Sequence, residues 1–120
     1  MFQQDYIMRE VELISRFLAK ALFGRETERE DEPAFSEYLS ENYLPYRLRK
    51  LVDEGRINEA ENELFEAVEE EPKTEYLAAA FEFYRLLSEF TPENLERCGF
   101  SEEEVLEGLR DIKRIYGIPE

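Results

Sequence analysis

Between Leu44 and Pro72 the chain reads LPYRLRKLVDEGRINEAENELFEAVEEEP, and this stretch limits the possible folds more than any other. Leu44, Leu48 and Leu51 recur at helical spacing, as do Ile57, Ala60, Leu64, Ala67 and Val68, and Pro72 stops the second run. Only Glu54-Gly55-Arg56 separates the two runs. Gly55 can take the left-handed conformation that ends a helix, so the chain turns back on itself there. Small side chains at Ala60 and Ala67 let the two axes come close. The spacing predicts an antiparallel helix pair.

A glycine at the turn, alanines in the second helix with a large apolar residue between them, and a closing proline resemble one tetratricopeptide repeat. The resemblance spans one unit of about 34 residues, from Glu41 to Thr74. Continuing the register puts Arg85 and Glu89 where an apolar residue and the glycine should stand, so there is no second copy. Such arrays need about three units to be stable. Other helices must therefore complete a lone one.

Those helices are legible on either side. Phe2 to Phe23 carries one apolar stripe of Ile7, Val11, Ile14, Leu18, Ala21 and Leu22. A second, adjacent stripe holds Phe2, Tyr6, Leu13 and Phe17, making the arc wider than a surface helix needs. Gly24 is expected to end this helix, and the charged segment to Pro33 reads as a solvated loop. Phe35, Tyr38, Leu39 and Tyr43 suggest a short helix before Pro45, which suits the start of the next. From Thr74, a candidate cap, to Phe90 the polar residues Glu75, Glu82, Arg85 and Glu89 fill only a narrow strip. This should be the central helix, with the more polar 57–70 helix outside it. Thr91-Pro92 opens a short turn of helix, and Ser101 with Glu104 forms a capping box for the last one. Val105, Leu106, Leu109, Ile112 and Tyr116 make its inner face.

The expectation is an all-α, single-domain helical array over residues 1–120: an N-terminal helix (1–23), a polar loop (24–33) and a repeat-like body (34–120). Six helices are expected near 2–23, 34–43, 45–54, 57–70, 74–90 and 101–116, with a short turn at 92–97.

The opening residues 3–23, QQDYIMREVELISRFLAKALF, resemble the start of an uncharacterised family of short acidic bacterial proteins. The resemblance rests on Asp5, Tyr6, Ile7, Met8 and Arg9, and the hairpin is consistent with it. It implies an all-helical protein of unknown function and brings no activity with it.

Charge and composition narrow the functional classes. Thirty acids against 15 bases give a net charge of −15, which repels nucleic acid and anionic membranes and favours cationic partners. The densest basic group, Arg47, Arg49, Lys50 and Arg56, could meet an anionic partner, although salt links to neighbouring glutamates suffice to explain it. Cys98 is alone and fits a reducing compartment. MFQQDYIMRE lacks a basic leader segment, and no apolar run approaches the roughly 20 residues of a spanning helix. A cytoplasmic protein is expected.

Catalytic signals are sparse. The absence of histidine removes the commonest general base and metal ligand. The acids fall mainly in solvated runs such as Glu69-Glu70-Glu71 and Glu102-Glu103-Glu104. Glycines stand singly, Gly108 inside the last helix, and no phosphate loop, calcium loop or nucleophile elbow is present. CGFSEEEVLEGL, residues 98–109, resembles the loop and second helix of ubiquitin-associated-type domains. Too few residues follow Tyr116 for the third helix of such a domain, so Phe100 should simply pack inward.

The leading expectation is a non-catalytic protein–protein interaction or scaffold protein, without cofactor or metal. It would form a homodimer through Phe2, Tyr6, Leu13 and Phe17, and a groove between the first helix and the hairpin would be open to a peptide. One alternative is an acidic decoy that binds a basic nucleic-acid-binding protein. Another is a small-ligand carrier or carboxylate-based enzyme.

Overall fold

Two helices meet at Gly55 and pack together against the helix that follows them. The computed structural model describes residues 2–25 and 43–119, with side chains from Tyr6 onward in the first segment. Its helices are α1 (Phe2–Arg25), α2 (Leu44–Asp53), α3 (Ile57–Glu70), α4 (Thr74–Ser88), α5 (Pro92–Arg97) and α6 (Glu102–Ile115). Among the described residues there is no strand. The helix expected at 34–43 and most of the 24–33 loop lie outside them.

The hairpin forms because its turn is satisfied locally. Gly55 takes φ +78°, which lets its N–H reach Val52 O at 2.9 Å while Arg56 N–H reaches Leu51 O at 2.8 Å. This pair of bonds closes α2 in a Schellman motif. Pro45 sits in the first turn of α2, where its missing N–H has no intrahelical partner to lose. Ala60 is fully buried together with Ile57, Leu64 and Val68. On α2 the buried stripe is Leu44, Leu48 and Val52, with Leu51 only half-buried. The periodicity pointed to Leu51. Because α2 packs on α4 as well as α3, its inward face is rotated one residue further.

Helix α4 is the centre, packed against α1, α2, α3 and α6. Leu77, Ala79, Ala80, Phe83, Tyr84 and Leu87 are buried, and the Phe83 and Tyr84 rings meet edge to face at 4.9 Å. Two boundaries differ from expectation. Lys73, not Thr74, is the N-cap, since its carbonyl accepts from Tyr76 and Leu77 N–H. The helix ends at Ser88 rather than Phe90: Glu89 and Phe90 bond three residues back, and Pro92 disfavours helix at Thr91.

The C-terminal helices follow their caps. Thr91 Oγ1 accepts from Asn94 N–H at 3.1 Å, and Ser101 and Glu104 exchange both bonds of a capping box. Asn58 on α3 donates to Gly99 O at 3.0 Å, tying the α5–α6 junction to the hairpin, and Phe100 is buried beneath. The Tyr116 hydroxyl donates to Lys73 O at 2.6 Å, which fastens the end of α6 to the α3–α4 turn.

Helix α1 lies against α4 and α6. Val11, Ile14 and Leu18 face the core, with Ile7, Ala21 and Leu22 packed beside them. Gly24 does not end it, because its φ stays out of the left-handed range and the helix runs on to Arg25. The Arg25 guanidinium lies 5.2 Å from the centre of the Tyr116 ring.

Candidate functional site

Seating α1 between two helices divides its surface into distinct flanks. On the α6 side, Glu10 lies 3.9 Å from Arg110, and Lys113 Nζ sits 5.7 Å from the centre of the Phe17 ring. Phe17 is half-buried against the core. Of the suggested self-association stripe, Tyr6 (60% exposed) and Leu13 (44%) remain in solvent, and the Phe2 side chain lies outside the described residues. Phe23, at 80%, is more exposed than either. The structure thus separates Phe17 from Tyr6 and Leu13. The four-residue spacing of Leu13 and Phe17 sets them on neighbouring helical angles without saying which of them a second helix will cover.

On the α4 side an open groove of about 430 Å³ runs between the two helices. Its apolar lining comes from Met8, Val11, Ala19 and Phe81, and its polar rim from Glu12, Ser15, Arg16, Arg85 and Ser88. This groove lies between α1 and the central helix on which α1 packs, not beside the hairpin where the sequence suggested one. Arg85 had the appearance of one more residue in a solvated strip. Its place opposite Arg16 depends on the crossing of two helices and has no local signal.

A third arrangement joins α3, α4 and α6. Tyr84, 1% exposed, donates its hydroxyl to Glu61 Oε2 at 2.6 Å. Burial pushes the Glu61 carboxyl above its ordinary range; the Tyr84 hydrogen bond opposes this, and Glu104, Asp111 and Glu107 add to it. Burial likewise holds the Tyr84 phenol well above its usual value, with the Glu61 charge adding to it, so it remains the donor. A carboxyl of raised proton affinity is the raw material of acid–base catalysis. Here its oxygen is already engaged by Tyr84 and covered by Gly108, whose missing Cβ would stand 2.7 Å from it. Among the described residues no group of three or more His, Cys, Asp or Glu side chains is placed to hold a metal ion.

Over residues 1–117 the sequence matches the Family of unknown function (DUF6483). The chain belongs to that family. The match takes in all six DUF6483 helices described above, well beyond the opening segment on which the resemblance first rested. Among curated proteins and among solved structures, none matches.

The basic group on the DUF6483 hairpin meets acids of the same chain. Arg47 pairs with Glu63 at 2.9 Å, and Arg56 with Glu54 at 3.1 Å and with Glu59. Arg49 is exposed beside a cleft of about 50 Å³ that Glu82 also lines, and Lys50 is exposed. Cys98 is half-buried against the hairpin turn, where a Cβ on Gly55 would lie 3.7 Å from its Sγ. No described helix is long and apolar enough to cross a membrane.

Proposed function

We propose that this DUF6483 chain is a non-catalytic protein–protein interaction or scaffold protein, bacterial and cytoplasmic, in which a tetratricopeptide-like hairpin stiffens the body and α1 makes the contact. The observation that carries this reading is the exposure of three large apolar side chains, Tyr6, Leu13 and Phe23, all on α1. They are the only large apolar residues so exposed among the described ones, whereas the other helices turn theirs inward. Aromatic and leucine side chains of this kind anchor protein interfaces when a partner desolvates them.

Affinity capture from the native cell, at low and high salt, tests the reading with a Tyr6→Glu/Leu13→Glu variant as control. Both positions are exposed, so the fold should stand. A partner held through α1 should persist in high salt and be lost with the variant. Binding that collapses with salt and ignores the variant would favour the acidic-decoy reading instead.

Self-association is the simplest form of such a contact, with Tyr6 and Leu13 of one protomer meeting a second copy. Phe17 is half-buried in its own chain, so Leu13→Glu is a cleaner probe than a change at Phe17. Light scattering behind a sizing column should show a dimer at tens of micromolar that Leu13→Glu dissociates; a monomeric parent removes this form.

A further inference from the structure

Charge is divided unevenly along this acidic chain. The first 25 residues carry four bases (Arg9, Arg16, Lys20 and Arg25) against three acids (Asp5, Glu10 and Glu12). The remaining residues therefore hold 27 acids against 11 bases, so the first 25 residues carry a net charge of +1 and the remainder of the chain −16. With acids outnumbering bases two to one, a cation should find a partner easily. Arg47, Arg56, Lys73, Arg110 and Arg114 do. Among the described residues, no acid pairs with Arg9, Arg16, Lys20, Arg25, Arg49, Arg85 or Arg97. Arg9, Arg16 and Lys20 are spaced seven and four residues apart, on one side of α1.

Two of these unpaired cations, Arg16 from α1 and Arg85 from α4, stand on the rim of the same groove. Glu12 is the one acid lining it, which leaves the groove at a net charge of +1 above an apolar floor that includes Met8 and Phe81. The volume of about 430 Å³ is within the range of ligand sites, roughly 300–1,000 Å³. Because the groove is open along its length, it suits side chains projecting from a docked segment better than an enclosed small molecule.

We propose that the α1–α4 groove docks an acidic amphipathic helix of another protein, seating its apolar side chain between Met8 and Phe81 and its carboxylates on Arg16 and Arg85. This rests on the interaction reading above and assigns a partner chemistry and a second face of α1 to it. Arginine suits the task because its planar guanidinium takes a carboxylate through two parallel hydrogen bonds. The acidic body repels anionic partners generally, so only a segment that places carboxylates at this groove overcomes the repulsion. An anionic membrane fits less well, since a flat sheet of charge would bring the remainder of the chain, at −16, against it.

Selection of the full chain against a random library of helical peptides tests the proposal without knowledge of the natural partner. Enriched sequences should combine Leu, Phe or Met with Asp or Glu three or four residues away. Their binding should fall at least about tenfold, some 1.4 kcal/mol, on Arg16→Glu/Arg85→Glu. Both arginines are exposed, so the melting temperature should not change. No enrichment, enrichment of basic peptides, or acidic peptides indifferent to the double reversal would each overturn the proposal. So would vesicles of phosphatidylserine, or a second copy of the chain, occupying the groove with the same arginine dependence. If these fail while the Tyr6→Glu/Leu13→Glu variant still loses its captured partner, the groove proposal falls and the interaction reading stands.

Discussion

Gly108 leaves open the space that the Tyr84 side chain fills. A Cβ built on this glycine would stand 2.5 Å from Tyr84 Cζ and would overlap the hydroxyl oxygen. Gly108 is in the middle of α6, where glycine weakens a helix by about 1 kcal/mol relative to alanine. In this protein that intrinsic loss is offset by the packing of a buried aromatic ring on the helix backbone.

Gly108→Ala should therefore destabilise the fold by about 1–3 kcal/mol through overpacking, despite alanine's better helix propensity. Gly24 is also helical, but a Cβ there meets nothing within 4 Å. Gly24→Ala should stabilise by about 0.4–1 kcal/mol. Urea unfolding of both variants checks the contrast. Equal effects would mean that Tyr84 does not press on α6.

Glu61 gives a pH prediction whose sign follows from its raised folded value. Below the unfolded carboxyl value of about 4.5 both states are protonated, and the contribution is nil. As pH rises towards the folded value, the native state retains a proton that the unfolded state has released, so stability declines. Glu61→Gln keeps an acceptor for Tyr84 and cannot ionise. It should gain on the parent as pH rises above about 4.5, and the difference between the two melting temperatures should shrink in acid. A gap that does not change with pH would refute this.

The core predictions use two residues with no exposed surface, Ala60 and Leu87. Ala60→Leu forces α2 and α3 apart and should cost about 1–3 kcal/mol. Leu87→Ala opens a cavity beneath the central helix and should cost about 2–5 kcal/mol. Chemical denaturation measures both, and melting like the parent would place the core elsewhere.

Tyr116→Phe removes only the hydroxyl that reaches Lys73 O at 2.6 Å. Burial raises the Tyr116 phenol above its ordinary value, with Arg25 opposing, so the group is a hydrogen-bond donor at any working pH. The loss should be about 0.5–1.5 kcal/mol. Hydrogen exchange should rise at the α3–α4 turn and the end of α6 before it rises elsewhere. Uniform acceleration would show that the bond does not fasten those two sites.

Among features near one another in sequence, most were readable in advance. Ser101 with Glu104, Thr91 with Asn94, and Gly55 and Arg56 with the carbonyls of Val52 and Leu51 complete their bonds within five residues. Helix ends and the hairpin therefore needed no knowledge of the fold. Lys73 is an instructive exception: its carbonyl is shared between the N-terminus of α4 and Tyr116, 43 residues away, and Thr74 was the better cap only on local grounds. Phe17 and Leu13 shared a stripe, yet α6 half-buries the one and leaves the other 44% exposed.

The sequence by itself determined an all-helical chain, the α2–α3 hairpin and the central position of α4, because periodicity, caps and turn glycines act over a few residues. It also placed Gly108 inside the last helix, without saying what neighbour packs on it. Only the tertiary structure decided that the neighbour is Tyr84 and that its hydroxyl reaches Glu61, 23 residues earlier. The same holds for the groove that sets Arg16 opposite Arg85. Such contacts depend on how helices cross, and crossing is settled by the packing of whole faces rather than by any one residue's local preference.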